Sequence, residues 1–139
     1  MNFLGNVHEL DLSCTDIHDV SKLGNVHKLN LRHCKFISDV SKLGNVHTLD
    51  LSECRNVNDV SALGNVHDLD LSWNYIFDVS HLGNVHKLNL MHCLQIVDVS
   101  QLGNVHNLNL SHCDNVKDVS QLGNVHTLNL TNCYDINEV

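Results

Sequence analysis

Leu4-Gly5-Asn6-Val7-His8 is the first of seven identical copies of one five-residue stretch in this chain of 139 residues. Successive copies are 19 or 20 residues apart. The later copies begin at Leu23, Leu43, Leu63, Leu82, Leu102 and Leu122. A short unit repeated at such a regular interval is typical of a solenoid, in which each unit packs against its two neighbours. The sequence therefore predicts one elongated domain over residues 1–139, built from seven repeats of 19–20 residues.

The residues that follow each copy alternate between leucine and polar side chains. In the second repeat, Leu29 and Leu31 are two residues apart, while Lys28, Asn30 and Arg32 occupy the alternate positions. Because successive side chains of a strand point to opposite sides, the two leucines share the inner face of a short strand. Stacked repeats then form a parallel sheet with an all-leucine face toward the core and a variable face toward solvent.

Each of the first six strands is followed by the tripeptide Asp-Val-Ser, and the seventh by Glu138-Val139; the tripeptide predicts a turn of 3-10 helix on the opposite, convex side. A side-chain oxygen of Asp or Ser accepts backbone N–H groups that lack partners at the start of such a turn. The next Gly-Asn pair is then expected to turn the chain back into a strand with a positive backbone φ, which both residues tolerate. The aspartates concerned are Asp19, Asp39, Asp59, Asp78, Asp98 and Asp118.

These motifs resemble the leucine-rich repeat family over essentially the whole chain. Residues 26–37, VHKLNLRHCKFI, fit the family pattern Lxx-LxL-xxC-xxI, and all seven repeats fit it or a variant one residue shorter. The cysteine resembles the cysteine-containing subclass, Ile-x-Asp-Val-Ser-x-Leu resembles the internalin-like subclass, and the near-identical units resemble proteins of large DNA viruses of amoebae, such as the marseillevirus group. The resemblance implies an α/β solenoid whose strands line a concave face that holds protein partners.

The charge of the chain argues against two classes of partner. Sixteen acidic and eight basic residues give a formal charge of -8, which opposes binding to nucleic acid or to an anionic membrane. The first residues run into the first repeat with neither a secretory signal nor an apolar run long enough to span a membrane. Five of the six cysteines share one inward repeat position. This indicates reduced thiols and an intracellular protein, in the host cytoplasm or the virion if the source is viral.

A histidine ends every copy of the repeated stretch, and two interpretations are open. Stacked repeats place these histidines in a row at about the strand spacing of ~4.8 Å, and imidazole is a ligand for zinc, copper and nickel. The alternative is a structural column with each ring hydrogen-bonded to a neighbouring turn. The structural interpretation is favoured because a zinc site needs ligands that converge tetrahedrally. The histidines are His8, His27, His47, His67, His86, His106 and His126.

The repetition has two further chemical consequences. Protonated imidazoles in one row repel, so folding is expected to lower the histidine pKa values and to make the protein less stable as the pH falls below ~6.5. In addition, the repeat supplies like groups at every position, whereas a catalytic site combines unlike groups at one place. No enzyme activity, no catalytic residue and no cofactor is therefore predicted.

Specific recognition is expected from the positions that vary on the concave face. The first four repeats place several acids there against Lys28 and Arg32, which indicates a basic partner or a cation, with a merely solvated face as the alternative. Trp73, the single tryptophan, is either an interface anchor or a cover for the shortened fourth repeat. The predicted partner-binding residues are Lys28, Arg32, His33, Asp50, Glu53, Asp68, Asp70, Trp73, Met91 and His92.

The ends of the chain carry no recognisable polar cap. Glu138-Val139 stops inside a unit that Asn2-Phe3-Leu4 would complete, so a second copy or further residues are expected to cover the ends. The primary prediction is a non-catalytic protein–protein interaction module that binds through its concave face. The alternatives are a structural protein that forms homo-oligomers through its ends, and a metal-binding protein that uses the histidine row.

Overall fold

A computed structural model describes residues 4–139, so Asn2 and Phe3, on which the predicted completion of the last unit depends, lie outside the described residues. Seven short strands form one parallel sheet, in which each strand is hydrogen-bonded to the next one in the sequence. The predicted solenoid is therefore confirmed. Its strands are β1 (Glu9–Asp11), β2 (Lys28–Asn30), β3 (Thr48–Asp50), β4 (Asp68–Asp70), β5 (Lys87–Asn89), β6 (Asn107–Asn109) and β7 (Thr127–Asn129).

Leucines from every repeat form the core. The strand register pairs Leu29 with Leu49 and Leu49 with Leu69, and each of these side chains is at most 2% exposed. The same register continues past the shortened fourth repeat, where Leu69 pairs with Leu88. The missing residue therefore falls in a loop, as the sequence predicts, and it leaves the sheet uninterrupted.

The Asp-Val-Ser units turn the chain on the convex side. In each of the six units the valine carbonyl accepts a hydrogen bond from the leucine N–H three residues later, for example from Leu23 to Val20 at 3.0 Å. The aspartate Oδ1 accepts the serine N–H at 2.9–3.0 Å, which confirms that the aspartate side chain bonds a backbone N–H at the start of each turn. Residues 4–139 contain no α-helix, and their 3-10 segments are Leu4–Asn6, Ser61–Leu63, Ser100–Leu102 and Ser120–Leu122.

The predicted positive φ at the Gly-Asn pairs is wrong. No glycine among residues 4–139 has a positive φ, and Gly64 has φ -62° and ψ -19°. Glycine is required here for a different reason, because a Cβ on Gly64 would lie 2.5 Å from the carbonyl oxygen of His81 in the next repeat. The absent side chain therefore allows successive repeats to approach each other closely.

The positive φ angles occur instead after each strand, at the residue before the inward cysteine position. Seven residues there have φ between 58° and 61°, in the left-handed region that bulky side chains rarely adopt. This bend turns the following residue into the core and leaves its own side chain at the border of the concave face. We name these residues the left-handed row: Cys14, His33, Glu53, Trp73, His92, His112 and Asn132.

Candidate functional site

The concave face of the sheet is an open, acidic groove of about 670 Å³. Five carboxylates and two lysines line it, so the groove is negative even though one lysine, Lys28, lies 3.5 Å from the carboxylate of Glu9. The groove residues are Glu9, Leu10, Asp11, Lys28, Leu29, Asn30, Thr48, Leu49, Asp50, Asp68, Leu69, Asp70, Lys87 and Asn89.

Asp50 and Asp70 are held side by side by their own strands. They are register partners in adjacent strands, and Asp50 Oδ1 accepts the backbone N–H of Ser52 at 2.9 Å and its hydroxyl at 2.6 Å. Asp70 accepts the same two bonds from Ser72, and its second oxygen accepts Nδ2 of Asn89 at 3.2 Å. The two carboxylates are thus fixed in orientation and present adjacent negative charges to the groove.

The left-handed row forms the second polar surface, along the border where the strands end. Glu53 accepts hydrogen bonds from Arg32 Nη2 at 2.8 Å and Nε at 3.2 Å, and its other oxygen lies 3.3 Å from His33 Nδ1. The Arg32 guanidinium therefore holds the pKa of Glu53 below its usual range. Further along the row, Trp73 stacks on His92 with ring centroids 3.8 Å apart, and Trp73 remains 39% exposed.

The ten predicted partner-binding residues fall on these two adjoining surfaces. Lys28, Asp50, Asp68 and Asp70 line the groove. His33, Glu53, Trp73 and His92 belong to the left-handed row, and Arg32 and Met91 immediately precede two of its members.

Two exposed aromatics of the fourth repeat are absent from that set. Tyr75 is 51% exposed and Phe77 is 68% exposed. The signal for them was the alternation of Trp73, Tyr75 and Phe77 with the inward residues Asn74 and Ile76. Tyr75 and Phe77 flank the buried Ile76, so an extended backbone there turns both side chains away from the core.

The seven histidines of the repeated stretch form a stacked column along the other border of the groove. Neighbouring rings lie 4.5–4.7 Å apart, with interplanar angles of 8–24°. The predicted hydrogen bonds to neighbouring turns are replaced by this stacking, and His67 Nδ1 instead lies 2.6 Å from Asp68 in its own turn. Within residues 4–139 no three histidine, cysteine or carboxylate groups converge as metal ligands.

The stacked column is expected to make stability depend on pH near neutrality. Partial desolvation of the stacked rings and the charges of neighbouring histidines lower the pKa of His27 and His106. The unfolded chain therefore binds more protons than the folded one below ~6.5, so stability is complete above that pH and is lost as the pH falls. Thermal melts followed by circular dichroism should give a constant Tm near neutral pH and a declining Tm toward pH ~5.

A second loss of stability is expected at lower pH. Hydrogen bonds from Ser21 lower the pKa of Asp19, and the same arrangement lowers the pKa of Asp39. These carboxylates stabilise the fold only while they are ionised, so their contribution disappears as the pH falls below ~4.

A variant with His27→Gln and His106→Gln should reduce the loss of stability at pH ~6 and keep the loss below pH ~4. A Tm that is unchanged from neutral pH to pH ~5 would contradict the role of the column.

The buried cysteines satisfy backbone groups of the core. Each inward Sγ donates a hydrogen bond of 2.9–3.2 Å to a leucine carbonyl of the preceding repeat, as Cys54 does to Leu31. Asn74, which replaces cysteine in the fourth repeat, donates to Leu51 at 2.8 Å. Burial raises the pKa of Cys54 to about 12, so this thiol stays neutral and unreactive. All six cysteines are free thiols, and Cys14 is exposed.

The comparisons with known proteins identify structural relatives only. No protein-family model matches the chain, and no curated protein matches it. An internalin, inlF, from Listeria monocytogenes superposes with a TM-score of 0.69 at 23% identity, over 90% of this chain and 41% of its own. Internalin C2 from the same organism superposes with a TM-score of 0.67 at 25% identity, over 88% of this chain and 61% of its own.

This chain thus spans less than two thirds of the length of either internalin. Both superpositions cover about nine tenths of this chain, whose described residues form the parallel-strand solenoid. The resemblance to viral proteins stays a prediction from the sequence. By its repeat pattern, sheet and structural relatives, the chain has the leucine-rich repeat fold.

Proposed function

We propose that this chain is a non-catalytic interaction module that binds a basic, extended segment of a partner protein in its concave groove. The observation that carries the proposal is the adjacent, fixed pair Asp50 and Asp70 in a groove where carboxylates outnumber lysines. Opposite charges arranged along such a surface steer and select a partner. The internalin-like fold supports a role in protein binding, and within residues 4–139 no helix is long and apolar enough to cross a membrane.

The repeat itself provides a neutral replacement for the two carboxylates. At the same strand position, Asn30 and Asn89 accept the N–H of the residue two places on at 2.9 and 3.0 Å, in the same way as Asp50. Replacing Asp50 and Asp70 with asparagine therefore removes two charges while an oxygen acceptor remains for each turn. The substitution tests charge without disturbing the fold.

The Asp50→Asn, Asp70→Asn variant is expected to bind lysine-rich and arginine-rich peptides about tenfold more weakly than the unchanged chain. The matched control is Asp59→Asn with Asp78→Asn, which removes the same net charge from turns that are capped in the same way on the convex side. Fluorescence anisotropy with a panel of basic and acidic peptides measures both effects. Equal loss in the two variants would show that overall charge, rather than the groove, determines binding.

A second candidate function is self-assembly through the end repeats. The outer repeats leave Leu10 and Leu128 only partly buried, and a Cβ on Gly123 would meet no atom within 4 Å. A second copy could stack on the last repeat as the next repeat would. It would cover the partly buried leucines, and one of its carbonyl groups would face Gly123 as a carbonyl of the next repeat faces each earlier glycine. The mass in solution, measured by light scattering at several concentrations, tests this candidate.

The free thiols agree with a reducing, intracellular location, which stays a prediction.

A further inference from the structure

One side of the solenoid has a composition unlike the rest of the chain. We name it the loop flank: the residues between the inward cysteine position and the following Asp-Val-Ser unit. In repeats two to five these are residues 35–38, 55–58, 75–77 and 94–97, which include Lys35 and Arg55 but no acid. The flank segments of repeats one, six and seven each carry one, namely Asp16, Asp114 and Asp135. Two basic residues thus lie in repeats two and three, whereas repeats six and seven carry two acids and one lysine, Lys117.

The middle of the loop flank is apolar and exposed. Tyr75 is 51% exposed, Phe77 is 68% exposed and Val97 is 60% exposed. The five described aromatic residues, Phe36, Trp73, Tyr75, Phe77 and Tyr134, are all exposed by 39% or more. Exposed aromatic side chains next to arginine are the composition of interface anchors.

Side chains of adjacent repeats are aligned in columns along this flank. Arg55 donates a hydrogen bond to the hydroxyl of Tyr75 at 3.3 Å, and its guanidinium carbon lies 5.5 Å from the centre of that ring. Asn56 Nδ2 donates to the carbonyl of Lys35 at 2.6 Å, and Asn115 makes the same bond to Leu94. The first column after the inward position therefore reads Asp16, Lys35, Arg55, Tyr75, Leu94, Asp114 and Tyr134.

We propose that the loop flank binds a second copy of this chain, in an antiparallel pair with its two-fold axis between repeats four and five. Reversal of the repeat order about this axis places repeat four against five, three against six and two against seven. Tyr75 then faces Leu94 of the second copy, and Arg55 faces Asp114. The same reversal places Phe77 against Val97. The interface has an apolar centre and complementary charges on either side of it.

The left-handed row, which borders the same flank, follows the same symmetry. Reversal places the carboxylate of Glu53 against His112 of the second copy, and Trp73 against His92, the ring type on which it already stacks. The second column adds Asp135 close to Lys35 of the other copy. A parallel pair would instead place Arg55 against Arg55 and Asp114 against Asp114, so like charges exclude that orientation.

The aspartates of the Asp-Val-Ser units lie beyond this interface. They form a row one residue past the flank, on the convex side, where Asp78 Oδ1 accepts the Ser80 N–H at 3.0 Å and its hydroxyl at 2.7 Å. These bonds point the carboxylate back into its own turn. The six paired repeats span ~29 Å at the strand spacing, which is a small interface. The dimer is therefore expected to depend on concentration.

Charge exchange between Arg55 and Asp114 tests whether a second copy of the chain binds the loop flank, and whether repeat three of one copy faces repeat six of the other. Arg55→Glu alone and Asp114→Arg alone each place two like-charged contacts in the dimer, so each is expected to raise the dissociation constant at least about tenfold. Mixing the two single variants restores one native and one exchanged pair, so they should form a heterodimer that neither forms alone. Sedimentation velocity on each variant and on the equimolar mixture measures this directly.

Matched controls separate the flank from the other surfaces. Lys87→Glu reverses a charge in the groove and should leave the dimer unchanged, whereas Phe77→Ser removes the apolar centre and should weaken it. Circular dichroism confirms that each variant is folded. The proposal is overturned if the unchanged chain stays monomeric at every concentration, as expected if a different protein covers the flank. It is also overturned if the dimer tolerates both single variants, or if their mixture stays monomeric.

Discussion

Replacing Leu71 with alanine is expected to lower the free energy of unfolding by ~2–5 kcal/mol. Leu71 is 0% exposed and lies in the central repeat, between the equally buried Leu51 and Leu90 of the adjacent repeats. Its N–H donates to Asn89 at 2.9 Å, and this bond survives the substitution because it belongs to the backbone. The loss therefore comes from removed apolar contacts and from the cavity left in a continuous column of leucines, which neighbouring repeats cannot fill without breaking their register.

Leu130→Ala in the last repeat is the matched control. Leu130 has the same place in its repeat but is only partly buried, because β7 has a neighbouring strand on one side. The same truncation there removes fewer contacts, and it should cost roughly half as much or less. Urea unfolding of both variants measures the difference. Equal losses at the two sites would mean that the end repeat is as well packed as the centre, which would contradict a solenoid stabilised by contacts between neighbours.

The fold could be predicted from the sequence because its two strongest signals coincide. The spacing of two between Leu29 and Leu31 defines a strand, and the constant interval between repeats brings equivalent leucines together. The groove followed from the same logic, since residues such as Asp50 must alternate with buried leucines. The alternation of side chains along each strand therefore predicted both the leucines of the core and the polar residues of the groove.

The remaining features could not be predicted from single-residue preferences. The left-handed row contains cysteine, histidine, glutamate, tryptophan and asparagine, so no side-chain property reveals its backbone angle. The same turn geometry recurs in all seven repeats and imposes that angle on every residue type. Tyr75 and Phe77 were missed because aromatic residues near a shortened loop are equally compatible with a buried position. Only the positions of Asn74 and Ile76 in the core establish that their neighbours point outward.

Glycine in the repeated stretch shows how one residue type fits two physical explanations. Its small size and its tolerance of positive φ both favour a turn, and only the backbone angle distinguishes them. Gly64 and Gly123 have the same right-handed conformation, with φ of -62° and -61°, so alanine is sterically allowed by both backbones. The two positions differ only in what lies beyond the missing side chain.

Gly64→Ala is therefore expected to cost ~1–3 kcal/mol of unfolding free energy, because the new methyl group would lie 2.5 Å from the His81 carbonyl oxygen and force two repeats apart. Gly123→Ala introduces the same methyl group where no atom lies within 4 Å, so it should be neutral or stabilise by ~0.4–1 kcal/mol through the unfolded chain. Thermal and urea unfolding of the pair isolates the packing between repeats from backbone preference. If copies instead stack end to end, Gly123→Ala should reduce the mass in solution, whereas a dimer formed through the loop flank should keep its mass.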